Sequence, residues 1–533
     1  MWVLRFRSKT RPRRSSPSIR PRLELLEDRC LPSGGVLDPT FGSGGLVTTP
    51  VGSLPRALAV ATYPTEGTAN DGKIVAAGDA LGANGTVYIA VVRYNLDGTP
   101  DTSFGSNGEI MDVKGVAWGV QVQPDGKVVV AGGSATNKFE VVRYNPDGTL
   151  DSSFGSRGVA TTSITSGGQS IAWAMVLQSD GKIVLAGFNM PKNTSYVDLA
   201  LARFNANGTL DTSFGTGGKV TTRFASPVNT TNDIRAVNLA IDPNTSASDP
   251  DSGKLVAVVQ AGGVEVVRYN TNGALDTTFG TNQTGYVNVA SINPAVAVQV
   301  DDRIVAAVPG IALYRFNADG TQDTSFGTNG VVVTGEATGS LISQSVAILA
   351  SGQIVVGGHQ HTFSSLNVSF MAARYSANGS LDTTFGTNGI ASAGSGLNPY
   401  NEGMALEPDG RIVLAGYTDS GPQAFYLARF LGAGPQIGSF TANPNPVTAG
   451  SSLTLTASNI TDANPSSTIT QVAFYVQING TNTLLGYGTQ TSPGVWTFTF
   501  TVNLTPGSYT LLAVAEDSYG VFGDPATITL IVT

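Results

Sequence analysis

The chain has 533 residues, too many for one ordinary core but enough for a repeat array plus a further module. Hydrophobic residues make up 41% and charged residues only 13%, with 65 glycines, which excludes a disordered chain and favours turns and strands over helices. The net charge is −8, and an acidic body excludes a nucleic-acid partner, because phosphate contacts need a basic face.

The basic charge is concentrated at the start. The first 30 residues hold nine Lys/Arg and three acids, and subtracting that +6 from −8 leaves about −14 for the rest. Residues 1–35 therefore read as a targeting segment or flexible arm, largely disordered. Trp2-Val3-Leu4 gives way at once to Arg5-Phe6-Arg7, so the head lacks the apolar core of a secretory signal. Nowhere is there a run of 18 apolar residues, so no transmembrane segment is expected. The single cysteine, Cys30, lies in the head, which leaves stability to strand packing. Residues 21–33, PRLELLEDRCLPS, resemble the L-E-x-L-E-x-R-x-L-L head segment of bacterial exported proteins, the LEPR-XLL type. The matching positions are Leu23, Glu24, Leu26, Glu27, Arg29 and Leu31, with Pro32 departing from the expected Leu. That resemblance implies a role in sorting. Read from its residues alone, the stretch is a short amphipathic helix or a disordered arm.

From residue 36 to 432 the chain repeats. An L-D-x-[ST]-F-G phrase recurs with Asp–Phe pairs Asp38/Phe41, Asp101/Phe104, Asp151/Phe154, Asp211/Phe214, Asp276/Phe279, Asp323/Phe326 and Asp382/Phe385. The spacings are 63, 50, 60, 65, 47 and 59, a mean of about 57, in the range of propeller blades. D-G-K-I-V-x-A-G keeps the same beat at 71–78, 125–132, 180–187 and 409–416, with looser copies at 252–259, 301–308 and 351–358. So does R-[YF]-N, starting at Arg93, Arg143, Arg203, Arg268 and Arg315, with variants at Arg374 and Arg429. Each unit reads as four short strands, the first following the F-G turn as in GGKVTT (217–222), then stretches such as AWAMVLQ (172–178), KIVLAG (182–187) and LALARFN (199–205). No segment sustains a helical period. Four strands repeated seven times fit an all-β, seven-bladed β-propeller. The rival, a solenoid, needs polar end repeats to cap its core, and the end units here are not visibly caps. The array opens with LDPTFG (37–42) lacking an R-Y-N before it, and closes with Arg429-Phe430 lacking an L-D-x-T-F after it. A ring predicts that Asp38–Gly42, with Phe41, lies beside Arg429 and Phe430 and completes the seventh unit.

The composite pattern R-[YF]-N-x-[DN]-G-[ST]-x-D-[ST]-[ST]-F-G-x-x-G resembles the delta-60 repeat family, a β-propeller repeat of bacterial secreted and surface proteins. The resemblance covers residues 36–432 and implies a fold and a location, but no activity. The last copy departs from the pattern, with Leu431-Gly432-Ala433 in place of the Asn-x-Asp turn.

In every linked copy Arg and Asp stand eight apart: 93/101, 143/151, 203/211, 268/276, 315/323 and 374/382. Between them an [DN]-G pair supplies the positive φ of a tight turn, which brings Arg back toward Asp as a structural ion pair or Asx-turn. The phenylalanine is a core plug between blades. A sharper reading is calcium, because Asn95, Asp97, Thr99 and Asp101, and likewise Asn145, Asp147 and Asp151, place oxygens at alternate positions. Against it, each loop has one or two carboxylates, no Glu closes the site, and Asn207, Asn272 and Asn378 replace the middle Asp. The two histidines, His359 and His361, have the spacing of a zinc pair on one strand face but no third ligand, and read as a surface or loop pair. No Ser/His/Asp grouping or phosphate loop is arguable, and no asymmetric catalytic cluster is visible, so no catalytic residue and no cofactor is assigned.

After 432–435 the period ends. Residues 436–533 alternate as strands at 452–458, 470–478, 495–502, 508–517 and 526–532, fitting a seven-stranded β-sandwich. NPNPVTAGSSLTL and Y-x-L-x-A-x-A-x-D resemble bacterial Ig-like domains of surface proteins, with Tyr509 in the tyrosine-corner role and Trp496 in the core.

The expectation is a non-enzymatic exported or cell-surface protein, extracellular or on the envelope. Its propeller is a rigid platform for protein or glycan partners and its Ig-like module a spacer or adhesive unit. The insertions 226–233, 243–252 and 359–369 are the first places to look for binding. The alternatives are a propeller lyase or hydrolase acting at the channel mouth, and a purely structural envelope protein.

Overall fold

The computed structural model describes residues 34–533 apart from 195, 225–233, 245, 247, 262–263, 281–283, 290–294, 311, 335–338, 363–367, 395–398, 419–422, 433, 463–467, 479–480, 519–520 and 524. The head segment up to residue 33, with Cys30, and the insertion at 226–233 lie outside the described residues. Among the described residues every regular element is a strand. No helix there is long and apolar enough to cross a membrane.

Seven antiparallel four-stranded sheets form the blades. Blade 1 comprises Ser53–Thr62, Ile74–Leu81, Val87–Tyr94 and Glu109–Ile110; blade 2 comprises Gly115–Val122, Val128–Ser134, Phe139–Tyr144 and Val159–Thr162. Blades 3 to 6 begin at Gln169, Ile234, Ala295 and Gly339 in the same order. Blade 7 holds Pro399–Leu406, Ile412–Thr418 and Phe425–Phe430, and takes its outer strand, Leu46–Thr49, from the other end of the array. Leu46 pairs with Ala428 and Val47 with Leu427.

The first strand of each blade touches the first strand of the next, and Pro399–Leu406 touches Ser53–Thr62, so the circle closes. This fixes the partition of the repeat. The strand after each F-G turn, such as Lys219–Thr222, is the outermost strand of the preceding blade and not the first strand of a new unit. The sequence expectation placed it one blade too late. The repeat read in sequence spans two sheets, because the F-G turn ends a hairpin whose second arm still belongs to the strand before it.

The apolar residues of the second and third strands pack between blades. Phe104 shares a cluster with Val75, Val91, Ala117 and Tyr144, so it plugs blade 1 against blade 2. Phe154 joins Val129 of blade 2 to Ile183 of blade 3, and Phe214 joins Val184 of blade 3 to Leu255 of blade 4. Phe279 and Phe326 follow at the next two junctions, and Phe385 joins Val355 of blade 6 to Leu414 of blade 7. Phe41 does the same between blades 7 and 1. The inner strands carry a bulge at one level, for example between Ala117 and Gly119 and between Ala172 and Ala174. Opposite it stands the glycine that ends K-I-V-x-A-G. A Cβ on Gly187 would meet the Ile171 carbonyl oxygen at 2.0 Å, and one on Gly132 the Val116 oxygen at 1.9 Å. Where blade 4 has Val259 in that position, the bulge moves by one residue, to between Arg235 and Val237.

Residues 436–532 form two further four-stranded antiparallel sheets on one core that includes Phe440, Leu455, Phe474, Trp496 and Leu511. The strands number eight among the described residues rather than the expected seven, because Thr481–Tyr487 and Thr489–Ser492 are separate. The Tyr509 hydroxyl donates to the Thr505 carbonyl at 2.9 Å, a bond from the ring back to upstream backbone.

Candidate functional site

The repeated Arg, Asp and Phe meet in every copy. The Arg Nε donates to the Asp carboxylate at 2.7 Å in Arg93–Asp101 and Arg268–Asp276, and at 2.8 Å in Arg143–Asp151, Arg203–Asp211, Arg315–Asp323 and Arg374–Asp382. Each guanidinium lies over its Phe ring. The carbon-to-centroid distance is 4.4 Å for Arg315–Phe326, 4.5 Å for Arg93–Phe104, Arg143–Phe154 and Arg203–Phe214, 4.7 Å for Arg374–Phe385 and 4.9 Å for Arg268–Phe279. The sequence reading made these phenylalanines plain core plugs, and that is half of their role. Phe154, Phe214 and Phe385 are fully buried between blades, but one face of each ring is given to a cation rather than to apolar neighbours. Sequence spacing missed this second partner, because the turn that returns Arg to Asp also lays the guanidinium over the ring three residues further on.

The other Asp oxygen accepts from the hydroxyl and amide two residues on, as in Ser153 to Asp151. The lysine of D-G-K adds a second cation at several copies, Lys73 to Asp101 at 2.7 Å and Lys254 to Asp276 at 2.8 Å. Burial opposes ionisation of Asp151. The Ser153 bonds, Arg143 and Lys127 outweigh it and hold the carboxyl down at about 2.

The same arginines tie one blade to the next. Arg93, Arg143, Arg203 and Arg315 donate Nη1 to Pro146, Ala206, Thr271 and Ala377, each in the turn of the following blade. The Gly after each Phe donates its amide to the same turn, for example Gly105 to Asp147 at 2.8 Å. Arg268 departs from the pattern and donates to Asp251 of the 243–252 insertion at 3.0 Å. This constellation is a clasp between blades.

Asp38 and Arg429 are paired at 2.9 Å, Arg429 lies 4.3 Å over Phe41, and Leu37 bridges to Phe430. The sequence reading placed residues 1–35 outside the propeller, but the ring begins two residues earlier. Gly35 N donates to Leu431 O as Gly98 N does to Asn95 O, and Gly386 N donates to Gly34 O as Gly105 N does to Asp147 O. Gly34-Gly35-Val36-Leu37-Asp38 is thus the second half of the seventh turn. Its signal was present in sequence, since G-G-V-L-D aligns with N-G-T-L-D at Asn207–Asp211.

The calcium candidates do not open toward a common ion. Asp97 Oδ1 accepts from the Thr99 amide and hydroxyl, and Asn95 donates to Thr99. Asp101 spends one oxygen on Arg93 and Lys73 and the other on Ser103. Asn145, Asp147 and Asp151 repeat this with Thr149, Arg143 and Ser153. The spacing that suggested oxygen ligands is the spacing of two consecutive Asx-turns. Among the described residues the carboxylates that do converge are Asp242, Asp249 and Asp302, within 4.8 Å of one another. Burial, then Asp302 and Asp249, push Asp242 up to about 7. Asn244 donates to both Asp242 and Asp249.

All the repeated turns stand on one face of the ring, since they join the first strand to the second and the third to the fourth. The opposite face carries the connections from second to third strand and from blade to blade. The former run from two residues at 262–263 to seven at 191–197. Of the insertions expected to bind, the described ends of 359–369 flank a variable-face connection and 243–252 lies on the clasp face, while 226–233 is outside the described residues.

At the variable-face end of the two inner strands, the residues differ by blade. Blades 2 and 3 place Val116, Gly133, Ile171 and Phe188 there, and a Cβ on Gly133 would meet the Ile171 side chain at 3.0 Å. Blades 6, 7 and 1 place His359, Tyr400, Tyr417, Arg56 and Asp79 at the equivalent positions. His359 is 3% exposed on strand Ile354–Thr362, which corrects the surface or loop reading; the His361 side chain is outside what is described. Its ring lies edge-on to Tyr400 at 5.2 Å, and Tyr400 stacks on Tyr417 at 5.6 Å and 19°. Arg56 donates to Asp79 twice, each bond 3.1 Å. The bulge residue Glu402 is pushed up to about 7 by burial, with Arg56 opposing. A sequence scan missed this asymmetric cluster because its members come from three repeats spread over 361 positions, from Arg56 to Tyr417.

Seven segments of the chain match one family model. It is described as Domain of unknown function (DUF5122) beta-propeller, and the segments are 69–104, 123–154, 178–214, 252–279, 301–326, 349–385 and 407–434. Each DUF5122 segment carries a clasp arginine, and the first six run on through the phenylalanine. Arg56, Tyr400 and Glu402, on inner strands, fall outside them. No curated protein matches the sequence. Among solved structures, the chain is similar to BP39L lectin from Burkholderia pseudomallei, at 10% identity and TM-score 0.40 over 71% of this chain and 98% of that one. It is similar to the β-propeller domain of the Trilobed protease from Pyrococcus furiosus, at 10% identity and TM-score 0.35 over 69% and 91%. It is also similar to the fibronectin(III)-like modules of Clostridium thermocellum CbhA, at 17% identity and TM-score 0.17 over 35% and 88%.

Proposed function

We propose that this protein is a non-enzymatic binding platform that presents protein or glycan partners to the variable face of its propeller. The observation that supports this is the division of labour between the two faces. The repeated motif is consumed in blade-to-blade clasps on one side, while the other carries connections that differ in length and composition from blade to blade. Variable loops on a rigid frame are where recognition sits. The C-terminal pair of sheets is read as an Ig-like spacer or adhesive module, supported by the Tyr509–Thr505 bond and the Trp496 core position. We further read the protein as exported or displayed on a bacterial cell surface, on the strength of the head segment's residues.

The test is loop exchange. Replacing 191–197 and 82–86 on the variable face by the four-residue connection 135–138 should abolish adhesion to cell surfaces or immobilised glycans while leaving the far-UV spectrum unchanged. Replacing the clasp-face insertion 243–252 should leave adhesion intact. Equal adhesion in all variants would refute the platform. Fractionation of native cells with N-terminal sequencing tests the location separately.

A further inference from the structure

We infer that the arc formed by His359, Tyr400, Tyr417, Arg56 and Asp79 is a binding site for a neutral pyranose unit of a glycan. This rests on the platform reading and names one site and one ligand class within it.

His359 of blade 6 meets Tyr400 of blade 7, Tyr400 stacks on Tyr417 in its own blade, and Arg56 binds Asp79 in blade 1. Tyr417 shares its strand face with Val413 and Ala415, which pack against Ala57 and Val60 of blade 1. The ring repeats its register, so Tyr417 stands toward Arg56 as His359 stands toward Tyr400 and as Gly133 stands toward Ile171. Five side chains from three blades thus form one unbroken tier on the variable face.

The fold does not need polar groups at this tier. Blades 2 and 3 fill the same tier with apolar groups, Val116, Gly133, Ile171 and Phe188, the last packed on Trp173. Three consecutive blades instead hold polar groups there: a histidine, two tyrosines and an ion pair. Tyr400 and Tyr417 are half-buried, and the Arg56 side chain is 40% exposed while its partner Asp79 is 9%. A guanidinium fixed from behind by a buried carboxylate presents its remaining N–H groups outward in a set direction.

An aromatic face accepts the C–H face of a sugar ring, with area buried at little conformational cost. The Arg–Asp pair supplies donors and acceptors side by side, the requirement of neighbouring hydroxyls. Its two charges cancel, so it offers an acidic sugar no net attraction. Glu402, pushed up to about 7 by burial with Arg56 opposing, carries less than a full negative charge near neutral pH.

The experiment uses the full chain on an array of neutral and acidic oligosaccharides, followed by calorimetric titration with the best neutral binder. Tyr417→Ala and Arg56→Met are each expected to weaken that affinity about tenfold or more. Trp173→Ala, which removes the aromatic pair with Phe188 in blade 3, should leave it unchanged. Far-UV spectra and thermal melts of the variants verify folding, and Tyr417→Phe, which keeps the ring, should retain binding. Neutral-sugar affinity that survives both Tyr417→Ala and Arg56→Met overturns the site. So does affinity lost in Trp173→Ala alone, or a preference for acidic glycans. If no glycan binds but cell adhesion still depends on the variable-face loops, the sugar site falls and the platform stands. Adhesion indifferent to those loops removes the platform itself.

Discussion

Asp151 shows how much one repeated residue is asked to do. It receives Arg143, Lys127 and both groups of Ser153, while Arg143 also covers the Phe154 ring and reaches the next blade at Ala206. Removing the carboxylate leaves a buried guanidinium without its counter-charge, which costs about 3 kcal/mol or more. The Asp151→Asn variant should therefore unfold at lower urea at pH 7. The sign of its pH dependence follows from the depressed folded value of about 2 against an unfolded value of about 3.9. The carboxylate's contribution is whole above pH 4 and is lost as the pH falls toward 2. The gap in melting temperature between the two proteins should close over that window; a gap constant from pH 6 to pH 2 would show that the charge is not what stabilises. The pairing of Arg with Asp was legible in sequence, because eight residues around a Gly turn leave few other outcomes. The blade-to-blade bond was not, since its acceptor is a carbonyl some 53 to 68 positions away that carries no side-chain signature.

At the scale of the strand, the glycine ending K-I-V-x-A-G is set by its neighbour's backbone. A methyl group on Gly187 would overlap the Ile171 carbonyl at 2.0 Å, and backbone in a paired strand has nowhere to go. Gly133 faces the Ile171 side chain rather than backbone, with its γ carbons at 3.0 and 3.2 Å. Gly187→Ala should lower stability by about 3 kcal/mol and Gly133→Ala by about 1 kcal/mol or less, read from urea midpoints. Similar losses in both would mean that the bulge is not what demands glycine. Blade 4 shows the alternative already in place, where Val259 coexists with a bulge moved by one residue. The existence of four strands per unit was legible from alternation and turn chemistry. Their allocation to sheets was not. Hydrophobic patterning says that a strand buries its faces, but not which of two adjacent edges it hydrogen-bonds.

For the whole molecule, the position of the chain break carries the argument. Arg429-Phe430-Leu431-Gly432 and Gly34-Gly35-Val36-Leu37-Asp38 together reproduce one nine-residue Arg-to-Asp turn, with the backbone bonds of an intact copy. The Gly432 carbonyl lies against Gly34, and Arg374 donates to it as other arginines donate to unbroken turns. Sequence reasoning located the two halves from their missing partners, yet set the boundary at residue 36, because glycine pairs before a motif look like linker. The seventh turn is thus an ordinary turn with one peptide bond absent, and the bond's location should be exchangeable. A propeller of residues 34–432 with Gly432 joined to Gly34 and new ends between Ala206 and Asn207 keeps an outer strand shared across the break. It should fold with the same spectrum and melt within a few degrees of the unpermuted 34–432 propeller. Opening the joined ring at 163–168 instead leaves every blade built from consecutive strands, so no strand bridges the two ends of the chain. That version should melt lower and unfold faster, because only side-chain packing and the clasp bonds, such as Arg143 to Ala206 and Gly155 to Asn207, then hold blade 2 to blade 3. If both openings behave alike, the shared strand is not what seals the ring, and the clasps alone must suffice.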